Sequence, residues 1–383
     1  MLSNTDILEL TELRRTLHQN PELSGEEKET AKAIVAALQP LQPSQILTNL
    51  GGHGVAAEFD SGVAGPTVLF RAELDALPIQ ELADLPWASR VPGKAHMCGH
   101  DGHMMFLLAL GRIISRKPVA KGRVVLMFQP SEENGAGARA VVADPSYETI
   151  RPDFAFAIHV EPGRPWGYVA TRAGLMNCAS SGLEIRLLGK TAHAADPEDG
   201  VSPAMTLVTL LPLLNELGCG GELNDDFRLV TVTHLKMGDY SFGIAPGEAI
   251  INVTLRAACD DALQAMEASA RQLATRTAND AKLRVSFTVC DAFAATVNDA
   301  QATDIALNAM NSIGVSNGET GLPMRASEDF GVFGWGAKAA MLCLGPGESF
   351  AALHNPDYDF PDALIPVGTA IFERITRDLL GQR

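Results

Sequence analysis

The stretch between residues 182 and 290 does most to limit what this chain can fold into. Its apolar and β-branched pattern reads as a strand (182–188), a helix (203–217), two strands (228–235 and 249–257), a helix (263–278) and a last strand (283–290). A β-α-β-β-α-β order closes as a ferredoxin-like split unit, one sheet face covered by two helices, and so forms a small domain by itself. The flanking chain alternates differently. Residues 5–19 and 25–38 carry apolar side chains at three- and four-residue steps, which predicts helices. Residues 54–59 and 66–71 are short, β-branched and aromatic, as strands are. Residues 102–114 form an apolar helix, and the continuous apolar runs 124–128 and 154–158 predict strands covered on both faces. Beyond the insert, 303–313 and 364–380 read as helices and 339–344 as a strand. Such alternation predicts a central, largely parallel sheet with helices on both sides. At 383 residues the chain exceeds the usual single core. The expected class is therefore α/β: a mostly parallel-sheet domain from residues 1–175 plus 292–383, with an inserted ferredoxin-like α+β domain at 176–291.

Charge and cysteines narrow the setting. A formal net charge of -16 argues against nucleic acid or an anionic membrane as a partner, since a polyanion is repelled. No apolar run approaches the roughly twenty residues that span a bilayer, and the first residues lack the basic and apolar regions of a secretory signal. Six cysteines lie singly at 98, 178, 219, 259, 290 and 343. That spacing predicts free thiols in a reducing compartment, hence a cytoplasmic protein.

The chemistry concentrates in His96-Met97-Cys98-Gly99-His100-Asp101-Gly102-His103, followed some thirty residues later by Ser131-Glu132-Glu133. Cys98 and His100, one glycine apart, can converge on one small volume. With two adjacent carboxylates they make an S, N and O donor set suited to a transition metal with a base beside it. A lone cysteine is more often a small buried hydrophobe, and a lone Glu-Glu pair a solvated turn. Together, and with the glutamates directly after a buried strand, they point to a metal-dependent hydrolase, because the carboxyl ends of strands are where open α/β sheets bind ligands. In an extended segment neighbouring glutamates face opposite ways, so one is expected to coordinate metal and the other to act as general base. His159 ends the apolar run 154–158, and His354 sits in the turn-rich Leu353-His354-Asn355-Pro356-Asp357. Each alone reads more readily as structural.

Seven motifs in order carry a resemblance: residues 17–24, Arg71-Ala72-Glu73-Leu74-Asp75-Ala76-Leu77-Pro78, His96 to His103, Gln129 to Glu133, Gly189-Lys190-Thr191-Ala192-His193-Ala194-Ala195, Ser327-Glu328-Asp329-Phe330 and Leu353-His354-Asn355. The chain resembles the M20 metallopeptidase family, in its amidohydrolase branch of hippurate and auxin-conjugate hydrolases. The resemblance implies two divalent metal ions (zinc, manganese, cobalt or nickel) held by Cys98, His100, Glu133, His159 and His354. By the same carry-over Glu132 is the general acid/base and Asp75 a carboxylate orienting a ligand imidazole. His193 in the inserted domain closes over the substrate oxygen, which implies a homodimer joined through that lid domain. The implied substrate is a small N-acyl amino acid or dipeptide-like molecule. His18, His53 and His234 carry only local structural readings; His96 as a loop residue and His103 as a locally bonded helix residue read the same way singly, while the cluster as a whole favours metal.

The chain departs from the family pattern in three places. Glu73 stands where the motif has aspartate, Asn134 where a glycine is common, and Gly243-Ile244-Ala245-Pro246 where many relatives carry Asn-Val-Ile-Pro. The alternatives to amide hydrolysis are a dipeptidase or aminopeptidase of the same family, and a metal- or ligand-binding protein without catalysis. An intact Glu132 speaks against the last, since a pure binding site has no use for a base.

Overall fold

The structure, a computed structural model, describes residues 2–383. The chain divides into two compact units: Met1–Met176 with Thr296–Leu322 and Glu328–Arg383, and Asn177–Ala295 with Pro323–Ser327.

The larger unit is built on an eight-stranded sheet. Its first five strands are β1 (Gln45–Leu50), β2 (Gly54–Asp60), β3 (Thr67–Glu73), β4 (Arg123–Gln129) and β5 (Phe154–Val160). Spatially β1 and β2 form an antiparallel edge on β4, and β4, β3, β5 and the late strand Lys338–Leu344 then run side by side in parallel. Every residue of β3 is buried, which fits a strand covered on both faces. Helices α1 (Asn4–Gln19), α2 (Lys28–Leu38) and α3 (His100–Arg116) pack on this unit with the C-terminal helix Ile365–Leu380. Phe70, Phe106, Phe360 and Phe372 meet at its centre.

Sequence pattern anticipated these elements to within a few residues, with two differences. The exposed edge strand β1 lacks any apolar alternation and was invisible to it. Helix α2 begins at Lys28 rather than near Gly25, which lies at φ 81° in a turn.

The smaller unit has a four-stranded antiparallel sheet. Its spatial order places Arg284–Phe293 beside Ala179–Leu188, then Glu248–Ala257, then Arg228–Met237. Helices Ala204–Asn215 and Asp260–Asp280 cover one face. This is the 4-1-3-2 order of a ferredoxin-like β-α-β-β-α-β unit. Pro323–Ser327 belongs to it as well: Arg256 donates to the Ser327 hydroxyl at 2.7 Å, and Ser327 donates to Ser180 at 2.8 Å.

Candidate metal centre

Three neighbouring parallel strands, β4, β3 and β5, end at one place, and the residues at their carboxyl ends carry the chemistry. His159 is the penultimate residue of β5, Asp75 lies two residues past β3, and Glu132 and Glu133 follow β4. Cys98 and His100 join them at the start of α3. Gly99 between them sits at φ 83°, and a Cβ there would come within 2.8 Å of the Tyr358 hydroxyl, so only glycine permits this approach. His354, also at positive φ, is brought in by its own amide, which donates to the Met97 carbonyl at 2.8 Å.

Within this crevice lie three overlapping triads among the described residues, Cys98/His100/His159, Cys98/Glu133/His354 and His100/Glu132/Glu133, each with ligand atoms inside 4.8 Å of one another. Cys98 Sγ is 3.4 Å from His159 Nε2. A sulfur and an imidazole nitrogen bound to one zinc-like ion at about 2.3 and 2.0 Å, at a tetrahedral angle, stand roughly 3.5 Å apart. His100 Nε2 lies 3.8 Å from Glu133 Oε1, and His354 Nε2 lies 3.7 Å from Glu133 Oε2. His100 Nε2 and Glu133 Oε1 are buried without any hydrogen-bond partner, an arrangement that costs about 1–3 kcal/mol per group unless something binds them. The donor set and these orphaned atoms fit divalent cations.

The imidazoles are oriented for that role. His100 donates from Nδ1 to the Asp75 backbone carbonyl at 2.8 Å, and His159 donates from Nδ1 to the Val160 carbonyl at 3.0 Å. Both are thereby fixed with Nε2 turned into the crevice. The Asp75 carboxylate, 3.7 Å from His100 Nδ1, contributes charge rather than the hydrogen bond. It is itself held by the Ser24 hydroxyl at 2.7 Å and the Glu133 amide at 3.0 Å.

Electrostatically the centre is a buried concentration of acid. Burial, then Glu133 and Glu132, push the Cys98 thiol well above its ordinary range. Burial opposes a proton on His100, yet Glu73, Asp75 and Glu133 outweigh it and raise its pKa to about 10. Burial lifts Glu133 to about 7 against the pull of His100. Burial together with Glu328, Glu133 and Asp329 raises Glu132 well above the carboxylate range. A site that raises acids and bases together favours any added positive charge, metal ion or proton.

One expectation is corrected. Glu132 and Glu133 do not continue a strand and do not diverge. Ser131 turns the backbone at φ 53°, its amide bound by Glu27 at 2.8 Å, and the glutamates fall in a turn. Both therefore face His100 Nε2, at 3.9 and 3.8 Å. Sequence reasoning also missed a buried network behind the crevice. Arg71 binds Glu73, Glu328 (2.7 Å), Asp329 (2.8 Å) and Gln129 (2.9 Å). Its signal was present: two charged residues, Arg71 and Glu73, close a strand whose centre, Val68 to Phe70, is apolar. His193 lies in the other unit, on a short ribbon where Ala192–His193 pairs with Ile244–Ala245, and its side chain is exposed. His96 is buried with both ring nitrogens unpartnered, and burial lowers its pKa to about 4. His18 is bound to Asp101 at 2.9 Å, as a structural histidine.

The family model for peptidase family M20/M25/M40 matches residues 69–378, a span containing every one of these crevice residues except Ser24 and Glu27. The chain belongs to peptidase family M20. Across the family it is 30% identical over 358 residues to the putative amidohydrolase YhaA of Bacillus subtilis, covering 92% of this chain and 89% of that one. It is 28% identical to the hippurate hydrolase of Campylobacter jejuni, covering 96% and 95%. Among solved M20 structures, the YXEP protein of Bacillus subtilis, described as a dinuclear metal binding peptidase, superposes with a TM-score of 0.81 at 26% identity over 99% of both chains.

Proposed function

We propose that this M20 protein is a metal-dependent amidohydrolase. It cleaves the amide bond of N-acyl amino acids or related small amides, with Glu132 as general acid/base. The observation that carries this reading is the pair of carboxylates facing one unpartnered imidazole nitrogen: Glu133, which also faces His354, is the ligand in this reading, and Glu132, 5% exposed, stands beside it as the base. Cys98, His100, Glu133, His159 and His354 would hold two divalent ions, zinc, manganese, cobalt or nickel, which would supply Lewis acidity and lower the pKa of water. Glu132 takes a proton from the attacking water as the water oxygen bonds to the amide carbon. It returns that proton to the amide nitrogen as the C–N bond breaks, and the products are a carboxylic acid, which then ionises in water, and a free amine. Burial, which raises its pKa, favours the delivery half, because such a carboxyl holds a proton long enough to pass it on. Asp75 fixes the His100 ring through its carbonyl and the Glu133 backbone through its carboxylate.

The smaller unit acts as a lid and dimerisation domain in this reading, with His193 reaching the substrate oxygen. Support comes from its outer strand Arg228–Met237, a sheet edge paired with residues 218–220 only as far as Val230 and exposing Val232, Leu235 and Met237 beyond it, beside a helix exposing Met205 and Val208. Light scattering on the purified protein tests the dimer, and a monomer with full activity would remove it. Six free cysteines suit a reducing, cytoplasmic setting, and among the described residues no helix is long and apolar enough to cross a membrane.

The activity itself is tested by primary-amine release from N-acetyl and N-benzoyl amino acids and simple dipeptides, with each metal supplied in turn. Release from the acylated substrates is the expected result. Release from dipeptides alone would move the assignment to a peptidase.

A further inference from the structure

We propose that His103 and Glu73 are a positioning pair for the metal centre: His103 is not a ligand but sets the strand end that carries His159. The inference rests on the metal-centre reading above and extends it to residues outside the ligand set.

His103 has the position of a ligand. It is fully buried, one helical turn after His100, with ring centroids 5.8 Å from His100 and 4.7 Å from His159. Both of its nitrogens are nevertheless occupied. Nε2 accepts the Val160 amide at 2.9 Å, so it carries no proton, and the ring proton on Nδ1 is donated to Glu73 Oε2 at 2.8 Å. No lone pair is left for a cation.

The accepted amide is one the sheet would otherwise leave unpaired. Strand β3 pairs with β5 from Val68↔Phe154 only as far as Arg71↔Ala157. On the opposite side Glu161 still donates to Leu344 at 2.9 Å. By the alternation of a strand, Val160 N–H points to the side β3 has left, and the His103 ring takes the place of the missing neighbour. Val160 then serves His159 with its other backbone group, since its carbonyl accepts the His159 Nδ1 proton at 3.0 Å and so aims Nε2 at Cys98. The order of support is Arg71 to Glu73 to His103 to Val160 to His159. Arg71 anchors its far end on Glu328, Asp329 and Gln129. Glutamate at 73 has the reach to touch both Arg71 and His103.

The test uses full-length protein stripped with a chelator and reloaded with cobalt(II), read by visible absorption and by competition with a chromophoric chelator. The wild type takes up cobalt with thiolate-to-metal absorption. His103→Phe, which keeps a ring among Phe106 and Phe360 but makes neither hydrogen bond, loses roughly 10–100-fold in cobalt affinity with a shifted spectrum. His103→Gln, whose amide oxygen can accept from Val160 and whose NH2 can donate to Glu73, recovers most of that loss. A wild-type affinity and spectrum in His103→Phe, accompanied only by a lower melting temperature of the stripped protein, would overturn the proposal and leave a purely structural histidine. Should His103→Phe not fold, Glu73→Gln carries the comparison: weakened cobalt binding supports the pair, and unchanged binding overturns it. Absence of cobalt uptake by the wild type would instead refute the metal centre itself.

Discussion

Replacing Arg71 by methionine isolates the energetics of the network behind the site. The side chain is 1% exposed and is the one arginine or lysine paired with Glu73, Glu328 and Asp329 among the described residues. Methionine fills the volume but leaves three buried carboxylates facing one another. Breaking a buried ion pair from one side costs about 3–5 kcal/mol, because the surviving charge stays uncompensated. At about 2–4 °C per kcal/mol for a unit of this size, the melting temperature should fall by roughly 10 °C. The loss carries a pH signature. Burial already raises Asp329 to about 7 with Arg71 pulling it down, and Glu73 is held low by Arg71 against its own burial. Without the guanidinium both move up. A carboxyl whose folded pKa exceeds its unfolded value binds a proton more readily when folded, so folding is favoured below the unfolded pKa and loses that advantage as pH rises toward the folded one. The gap between wild type and Arg71→Met should therefore be wide at pH 8 and narrower at pH 5. Chemical denaturation of chelator-treated protein at the two pH values measures it. An equal gap at both, or a loss below about 1 kcal/mol, would refute the assignment of Arg71 as the compensating charge.

Three further outcomes are expected. Burial disfavours charge on His18, but Asp101 and Glu81 raise its pKa to about 9, so its contribution of about 3 kcal/mol is complete below its unfolded value near 6.5 and lost as pH climbs toward 9. His18→Gln should flatten the stability profile between pH 7 and 9 in denaturant titrations. Gly102→Ala would place a Cβ 2.2 Å from the Phe360 ring, an overpacking that should cost about 1–3 kcal/mol by thermal unfolding. His100→Ala should abolish stoichiometric metal uptake as measured by elemental analysis, since it removes the nitrogen that stands in the Cys98/His100/His159 triad and also faces Glu133 at 3.8 Å.

How much of this was legible beforehand depended on what kind of signal each residue gives. Apolar periodicity marks elements that bury a face, so the strands of both units and helix α3 could be read, and the exposed strand β1 could not. The candidate ligands Cys98 and His100, with the glutamate pair, stood out by residue type and spacing, and the choice of Glu133 came from the family resemblance. His159 and His354 did not: a histidine at a strand end is ordinary until β5 is known to end beside β3 and β4. The divergence expected of Glu132 and Glu133 failed because a positive φ at Ser131 is a tertiary outcome, set by Glu27 from another part of the chain. The role of His103 is equally hidden, since nothing in the sequence says that β3 leaves β5 two residues short of His159.

The central claim is that Glu132 moves the proton and Glu133 holds the metal. Metal content and amine release, measured side by side on wild type and Glu132→Gln, test it most directly. The account predicts equal metal content with turnover reduced roughly 10²–10⁴-fold, the usual contribution of a positioned acid/base. Wild-type turnover in Glu132→Gln, or loss of metal in step with activity, would contradict it.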